Sequence, residues 1–155
     1  MQVSDSKIVV LGTGGTIAGQ GSDLGYQAAQ LGVAQLLAAV PGLADYGTLA
    51  AEQVAQVDSK DMDYAVWRAL ALRCQMHLDD PQVRAVVITH GTDTIEETAF
   101  FLHSVLHARK PVVLTCAMRP ATALAPDGPQ NLLDAVALAA APDWAGVCVV
   151  AAGTV

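Results

Sequence analysis

The sequence predicts an α/β fold: a three-layer domain with a mixed, mainly parallel sheet and helices on both faces. Strand-like and helix-like stretches alternate along the chain, the order that builds βαβ units. The first apolar run, Ile8 to Leu11, is β-branched and breaks directly into glycines, as a buried strand meeting a sharp turn does. At 155 residues, with 53% hydrophobic and 15% charged content, the chain suits one domain with a sizeable core.

The elements follow in order. After the first strand, Gln20 to Tyr26 is rich in Gly, Ser and Asp and reads as a mobile loop. Val33, Leu36, Leu37 and Val40 recur at helical spacing until Pro41-Gly42 stops them. A short strand, Glu52 to Val57, leads into Asp58-Ser59-Lys60-Asp61. Asp61 or Asp63 caps the next helix, whose apolar side carries Val66, Trp67, Leu70 and Cys74 or Met76. Pro81 separates it from the clearest strand, Val83 to Ile88. There follow Thr89-His90-Gly91-Thr92-Asp93-Thr94 and a helix from about Ile95 to His107, with Asp93 or Thr94 as cap and Glu96 and Glu97 in its first turn. Pro111 to Cys116 is a further strand. Pro129 suits the first position of another helix, and Gly146 to Ala152 is the last strand.

Composition excludes several classes. The formal charge of -7 and a pI near 4.7 disfavour nucleic acid as a partner. The longest apolar runs, such as Ala135 to Ala141, are too short to span a membrane, and no secretory leader is visible, so a cytoplasmic protein is expected. Cys74, Cys116 and Cys148 are odd in number and far apart, which reads as reduced core thiols. His103 and His107 share a helical face without a third ligand, so no metal site is expected. Around Gly12, Gly14, Gly15 and Gly19 neither a dinucleotide fingerprint nor a phosphate loop is in register: Ile17 stands at the third position of one, Gln20 and Gly21 at the Lys and Ser/Thr positions of the other.

The polar residues at three strand ends suggest chemistry. Thr16 follows the first strand, Ser59 to Asp61 the second, and Thr92-Asp93 the third. In a parallel sheet these ends share one edge and can surround one pocket. An ionised Asp93 can accept from an ammonium, and Ser59 with helix N-terminal amides can donate to a carboxylate, which suits a small zwitterion. Thr16 can attack a carbonyl while backbone amides stabilise the oxyanion. Each residue also has a structural reading: Asp93 and Thr94 as helix caps, Ser59 and Thr92 as turn residues, His90 as a packed, hydrogen-bonded imidazole rather than a base.

Gly14-Gly15-Thr16-Ile17-Ala18-Gly19, Thr89 to Thr98 (THGTDTIEET) and Ala117-Met118-Arg119-Pro120 together resemble the N-terminal domain of bacterial-type L-asparaginases, over essentially the whole chain. The resemblance implies hydrolysis of L-asparagine to aspartate and ammonia, often with weaker action on glutamine, and no metal or cofactor. It implies Thr16 as the nucleophile that forms an acyl-enzyme and Tyr26 closing over the site near that hydroxyl. Ser59 binds the substrate α-carboxylate, Asp93 the α-ammonium, and Thr92 positions water or serves as a second nucleophile. The Ala117 carbonyl accepts from the side-chain amide. Lys60 stands where many relatives carry a neutral residue beside that serine, and is expected to shift the local field or the substrate preference.

The family's Lys that pairs with the Asp at the Asp93 position has no counterpart among Lys7, Lys60 and Lys110. Its smaller C-terminal domain, which supplies an acidic group to a neighbouring subunit's site, has none either. The resemblance thus makes residues 1–155 an N-terminal asparaginase domain of a homo-oligomeric enzyme, with low activity by itself. Two alternatives stand beside it: a non-catalytic fragment that self-associates, and the ammonia-releasing subunit of a tRNA-dependent amidotransferase.

Overall fold

A computed structural model describes residues 6–22 and 25–155, with the backbone alone at residues 22, 25 and 26. Its centre is a five-stranded sheet built from β1 (Lys7–Gly14), β4 (Leu49–Val57), β5 (Val83–Thr89), β6 (Pro111–Thr115) and β7 (Gly146–Val150), in the order β4-β1-β5-β6-β7. Every pairing in this sheet is parallel. The antiparallel ladder among the described residues that joins named strands is a separate hairpin of β2 (Gln20–Ser22) and β3 (Gly25–Gln27). That hairpin replaces the loop expected over Gln20 to Tyr26. Three-residue strands of Gln, Gly and Ser carry no alternating apolar pattern, so nothing local announces them.

Alternation along the strands divides the core in two. Ile8, Val10, Ala85, Val87 and Val113 face α1 (Val33–Ala38) and α4 (Gly128–Ala140), meeting Val33, Leu36, Leu132 and Val136. Val9, Leu11, Val86, Ile88, Val112 and Leu114 face α2 (Tyr64–Asp79) and α3 (Ile95–Val105), meeting Leu70, Cys74 and Leu102. The three layers expected from sequence are present. Fully buried β-branched strands of this kind need helices on both faces, because neither face can be left wet.

The helix boundaries have local causes. Asp63, not Asp61, caps α2: its carboxylate accepts from the Val66 amide at 2.8 Å. Pro129 occupies the first turn of α4, where its missing N–H costs nothing. β4 starts at Leu49, earlier than Glu52, because Leu49, Ala50 and Ala51 pair with Ile8, Val9 and Val10. Alanine has little strand preference of its own, and the register with β1 overrides it.

The crossings set the site. β1 to β4 runs one way across the sheet with α1 on one face. β4 to β5 and β5 to β6 run the other way with α2 and α3 on the opposite face. These three share one hand, the right hand that parallel crossings adopt almost without exception. β6 to β7 continues in the same direction, yet α4 lies on the α1 face, so this crossing is of the opposite hand. The segment from Cys116 to Asp127 is thereby brought to the α1 side, where Gly128 packs against Ile17 of the turn after β1.

Leu114 is fully buried within the central sheet, whereas Leu124 is fully exposed. In urea unfolding, Leu114→Ala is expected to cost about 2–5 kcal/mol and Leu124→Ala less than about 0.5 kcal/mol. Equal midpoints for the two variants would contradict this placement of the core.

Candidate active site

β1 is the point at which the sheet order reverses, and ligands of open α/β sheets bind at the strand ends beside such a reversal. Here the neighbours across the reversal are β1 and β5. Gly14 ends β1 and Gly15 follows, with φ of 110° and 78°, backbone that side chains rarely tolerate. A Cβ on Gly14 would lie 2.4 Å from the Val57 carbonyl oxygen, and one on Gly15 would lie 2.4 Å from both Cα and N of Gly91. The Gly15 amide donates to the Val57 carbonyl at 3.0 Å, so the ends of β1, β4 and β5 are locked together.

Each predicted residue has a definite position. Thr16 is half-buried and opens a 3-10 turn, Thr16–Ala18, closed by the Gly19 amide on the Thr16 carbonyl at 2.8 Å. Ser59 is buried in a second 3-10 turn, Ser59–Asp61, directly against Gly91: a Cβ there would meet Ser59 Oγ at 2.4 Å. The Asp93 amide donates to Ser59 Oγ at 3.0 Å, and Thr94 Oγ1 donates to the Ser59 carbonyl at 2.9 Å. The structure thus joins the turn after β4 to the turn after β5 through Ser59, and joins both to the turn of Thr16 through Gly15 and Gly91.

This arrangement corrects the capping expectation. Thr94 is the residue before α3, but its side chain makes no cap bond, being committed to Ser59. Asp93 is exposed, and its carboxylate accepts no hydrogen bond among the described residues. Thr92 is half-buried beside it, and Ala117 is buried where β6 runs into the next loop. The Tyr26 side chain lies outside the described residues; its backbone pairs with Gly21 in the hairpin. Lys60 points to the surface, where Nζ lies 2.8 Å from Asp58 and 3.0 Å from Asp61. Its hydrogen bonds to Asp58 and then Asp61 push its pKa up to about 12.

Sequence reasoning missed the supports beneath the site. His90 is fully buried, with Nδ1 2.8 Å from the Gly91 carbonyl and Nε2 2.9 Å from Thr98 Oγ1. Trp67 Nε1 donates to that same hydroxyl at 2.9 Å while its ring stacks on Phe101. The Gly91 carbonyl can only accept, so neutral His90 carries its proton on Nδ1, and the Thr98 hydroxyl, accepting from Trp67, donates to Nε2. Burial lowers the His90 pKa, outweighing the opposing pull of the Gly91 carbonyl and Glu97. The packed, hydrogen-bonded imidazole foreseen as the structural reading of His90 is the arrangement the structure shows.

On the other side, Asp127 accepts from the Met118 and Arg119 amides at 3.0 and 2.9 Å and so shapes the turn after Ala117. Burial opposes the charge on Asp127, but those two amides prevail and hold its pKa below the usual carboxylate value. Asn131 bridges the Cys116 carbonyl and the Ala152 amide, tying α4 to the ends of β6 and β7. A carboxylate eight or nine residues from its amides, or an imidazole bonded to a threonine one helix away, carries no spacing signature. No group of three metal-ligating side chains occurs among the described residues, and none of the described helices is long and apolar enough to cross a membrane.

Loss of the neutral His90 form on acidification has a readable sign. Its folded pKa lies below the ordinary 6.5, so the unfolded chain binds the proton first and native stability falls as pH drops through and below that value. A His90→Gln variant is expected to be less stable than the parent at about pH 8, with the gap narrowing toward about pH 5 in thermal unfolding. A gap that widens on acidification would contradict the neutral assignment.

With this geometry in place, the comparisons with known proteins fall into one family. Residues 7–155 match the family model described as Asparaginase, N-terminal. L-asparaginase 2 of Bacillus subtilis is 43% identical over 143 residues, covering 90% of this chain and 38% of that protein. L-asparaginase 2 of Escherichia coli is 46% identical over 136 residues, covering 86% and 38%. Glutaminase-asparaginase of Acinetobacter glutaminasificans is 46% identical over 138 residues, covering 86% and 42%. The crystal structure of a probable cytoplasmic L-asparaginase from Campylobacter jejuni superposes with a TM-score of 0.84 at 43% identity, over 94% of this chain and 44% of that one. A relative from Haemophilus influenzae is named a probable periplasmic L-asparaginase, so the relatives' names span both compartments. The chain spans about two-fifths of the length of the curated relatives it matches. This chain belongs to the asparaginase family and corresponds to its N-terminal domain.

Proposed function

We propose that this chain carries the substrate pocket and nucleophile for hydrolysis of L-asparagine to L-aspartate and ammonia, with glutamine as a second substrate. The observation that carries the reading is the interlock of Gly15, Gly91 and Ser59, which gathers Thr16, Ser59 and Thr92-Asp93 around the reversal of the sheet order. In this reading the unpaired Asp93 carboxylate receives the substrate ammonium. Ser59, whose oxygen already accepts from the Asp93 amide, turns its hydroxyl proton to the α-carboxylate.

The reacting amide carbon then faces Thr16. Attack of Oγ forms a C–O bond as its O–H bond breaks, the carbonyl electrons move to oxygen, and collapse of that oxyanion breaks the C–N bond; the hydroxyl proton passes to the departing nitrogen, which leaves as ammonia with an ester on Thr16. Water positioned by Thr92 adds to the ester carbon and returns Thr16 to its hydroxyl form. The Gly15 amide is spent on Val57, so the oxyanion must be met by other turn amides. The Ala117 carbonyl accepts from the N–H of the substrate's side-chain amide, and the same reading assigns Tyr26, whose side chain lies outside the described residues, to the Thr16 hydroxyl. His90 is not the base, since both ring nitrogens are committed. Lys60, held by Asp58 and Asp61, acts on the field at Ser59 rather than by contact.

Because the chain spans about two-fifths of its relatives, this reading assigns it binding but slow turnover when assayed alone. Groups of a catalytic unit act together, and losing one commonly costs orders of magnitude. The homo-oligomeric, cytoplasmic enzyme expected from the family belongs to the same proposal. Ammonia release from asparagine and calorimetric titration with L-aspartate test it. Thr16→Ala is expected to abolish whatever turnover the chain has while keeping aspartate affinity, and Asp93→Asn to weaken that affinity about tenfold or more. Undiminished binding by Asp93→Asn would refute the assignment.

A further inference from the structure

The hairpin β2–β3 leaves the turn of Thr16 and returns to it, and its two legs are anchored very unequally. The returning leg is held by the ends of the central strands. Ala29, at φ 57°, donates its amide to the Gly15 carbonyl at 3.1 Å and accepts at its own carbonyl from Gln56 Nε2 at 2.6 Å. Gln30 and Leu31 both donate to the Ala18 carbonyl, at 2.6 and 2.8 Å. The outgoing leg touches the loop between β6 and α4 instead. There the Ala121 amide donates to the Gly19 carbonyl at 3.1 Å, and the Gly21 amide donates to Thr122 Oγ1 at 2.6 Å.

Gly21 is the cross-strand partner of Tyr26. Its amide faces outward from the ladder, because it is spent on Thr122, which lies 101 positions away in sequence. The Thr122 hydroxyl is exposed, so its bond competes with water and holds the hairpin only by its geometry. The approach is close: a Cβ on Gly21 would come to 3.1 Å of Thr122 Oγ1, so the hydroxyl reaches the backbone because no side chain intervenes. The opposite hand of the β6–β7 crossing is what carries Thr122 to this side of the sheet.

We propose that Thr122 is a positioning residue for the candidate active site: its hydroxyl latches Gly21, and through the Gly21–Tyr26 backbone pair sets where the backbone of Tyr26 stands relative to the turn of Thr16. It contacts neither the substrate nor the reacting atoms. The role of Tyr26 in this statement rests on the proposed asparagine-hydrolase reading; the latch itself rests on the hydrogen bonds alone.

Amide exchange by NMR and L-aspartate titration, both on this chain, test the two parts separately. Thr122→Val keeps the shape and removes the acceptor, while Thr122→Ser keeps the acceptor. The Val variant is expected to exchange the Gly21 amide and the hairpin amides about tenfold faster, with the amides of β1, β5 and β6 unchanged, and the Ser variant to restore the parent rates. Aspartate affinity is expected to fall about threefold to tenfold in Val and to return in Ser. Equal Gly21 exchange in Val and parent overturns the latch. Faster exchange with unaltered aspartate affinity overturns the positioning role. If the parent itself binds no aspartate, the asparagine-hydrolase reading fails while the exchange comparison still decides the latch.

Discussion

The contact on which the site depends is between two glycines. Gly91 comes so close that Gly15 could not carry a side chain, and Ser59, from the third strand end, leaves no room for one on Gly91. Without that approach the polar residues after β1, β4 and β5 would be three separate turns on one edge of a sheet. With it they are held side by side at that edge. The backbone conformation of Gly14 and Gly15 is the local cost, and the buried parallel sheet beneath supplies the rigidity that sustains it.

The supports fix the turns that carry the candidate site residues. Thr94 bonds the Ser59 carbonyl, which leaves Asp93 without a capping duty. Trp67 and Thr98 fix a neutral His90, which in turn holds the Gly91 carbonyl just before Thr92. Asp127 takes the amides of Met118 and Arg119, and Asn131 takes the Cys116 carbonyl, so the segment around Ala117 is fixed from both sides. Buried polar groups satisfied in this way orient a site more than they stabilise the fold. The exposed Asp93 carboxylate, which accepts no hydrogen bond among the described residues, is where the proposed reading puts the ligand's cationic group.

How much of this was legible follows from how local each signal is. The strand runs and the alternation of helices announced the fold class, because burial on both faces writes itself into consecutive residues. The glycines around Thr16 and the turn at Asp93 announced a crevice, because φ and capping are properties of adjacent residues. The hairpin β2–β3 was read as a loop, since its pairing is sustained by Thr122, Gly15 and Ala18 and not by its own composition. The hand of the α4 crossing was equally hidden: nothing in the chain between Cys116 and Gly146 distinguishes the rare hand from the common one. The bonds that hold His90 run through Thr98 on α3 to Trp67 on α2, two helices whose packing had to be known first.

The central claim is that the three strand-end turns form one pocket for a small amino acid, built around the approach of Gly15 to Gly91. Titration of the isotopically labelled chain with L-aspartate, followed by backbone amide shifts, tests it most directly. The account predicts shifts concentrated at Gly15, Thr16, Ser59, Gly91, Thr92 and Asp93, reporting one affinity. Shifts absent from the Thr16 turn but present at Asp93, or confined to the apolar cavity that Leu36 and Val40 line together with Pro129 and Leu132 of α4, would contradict it.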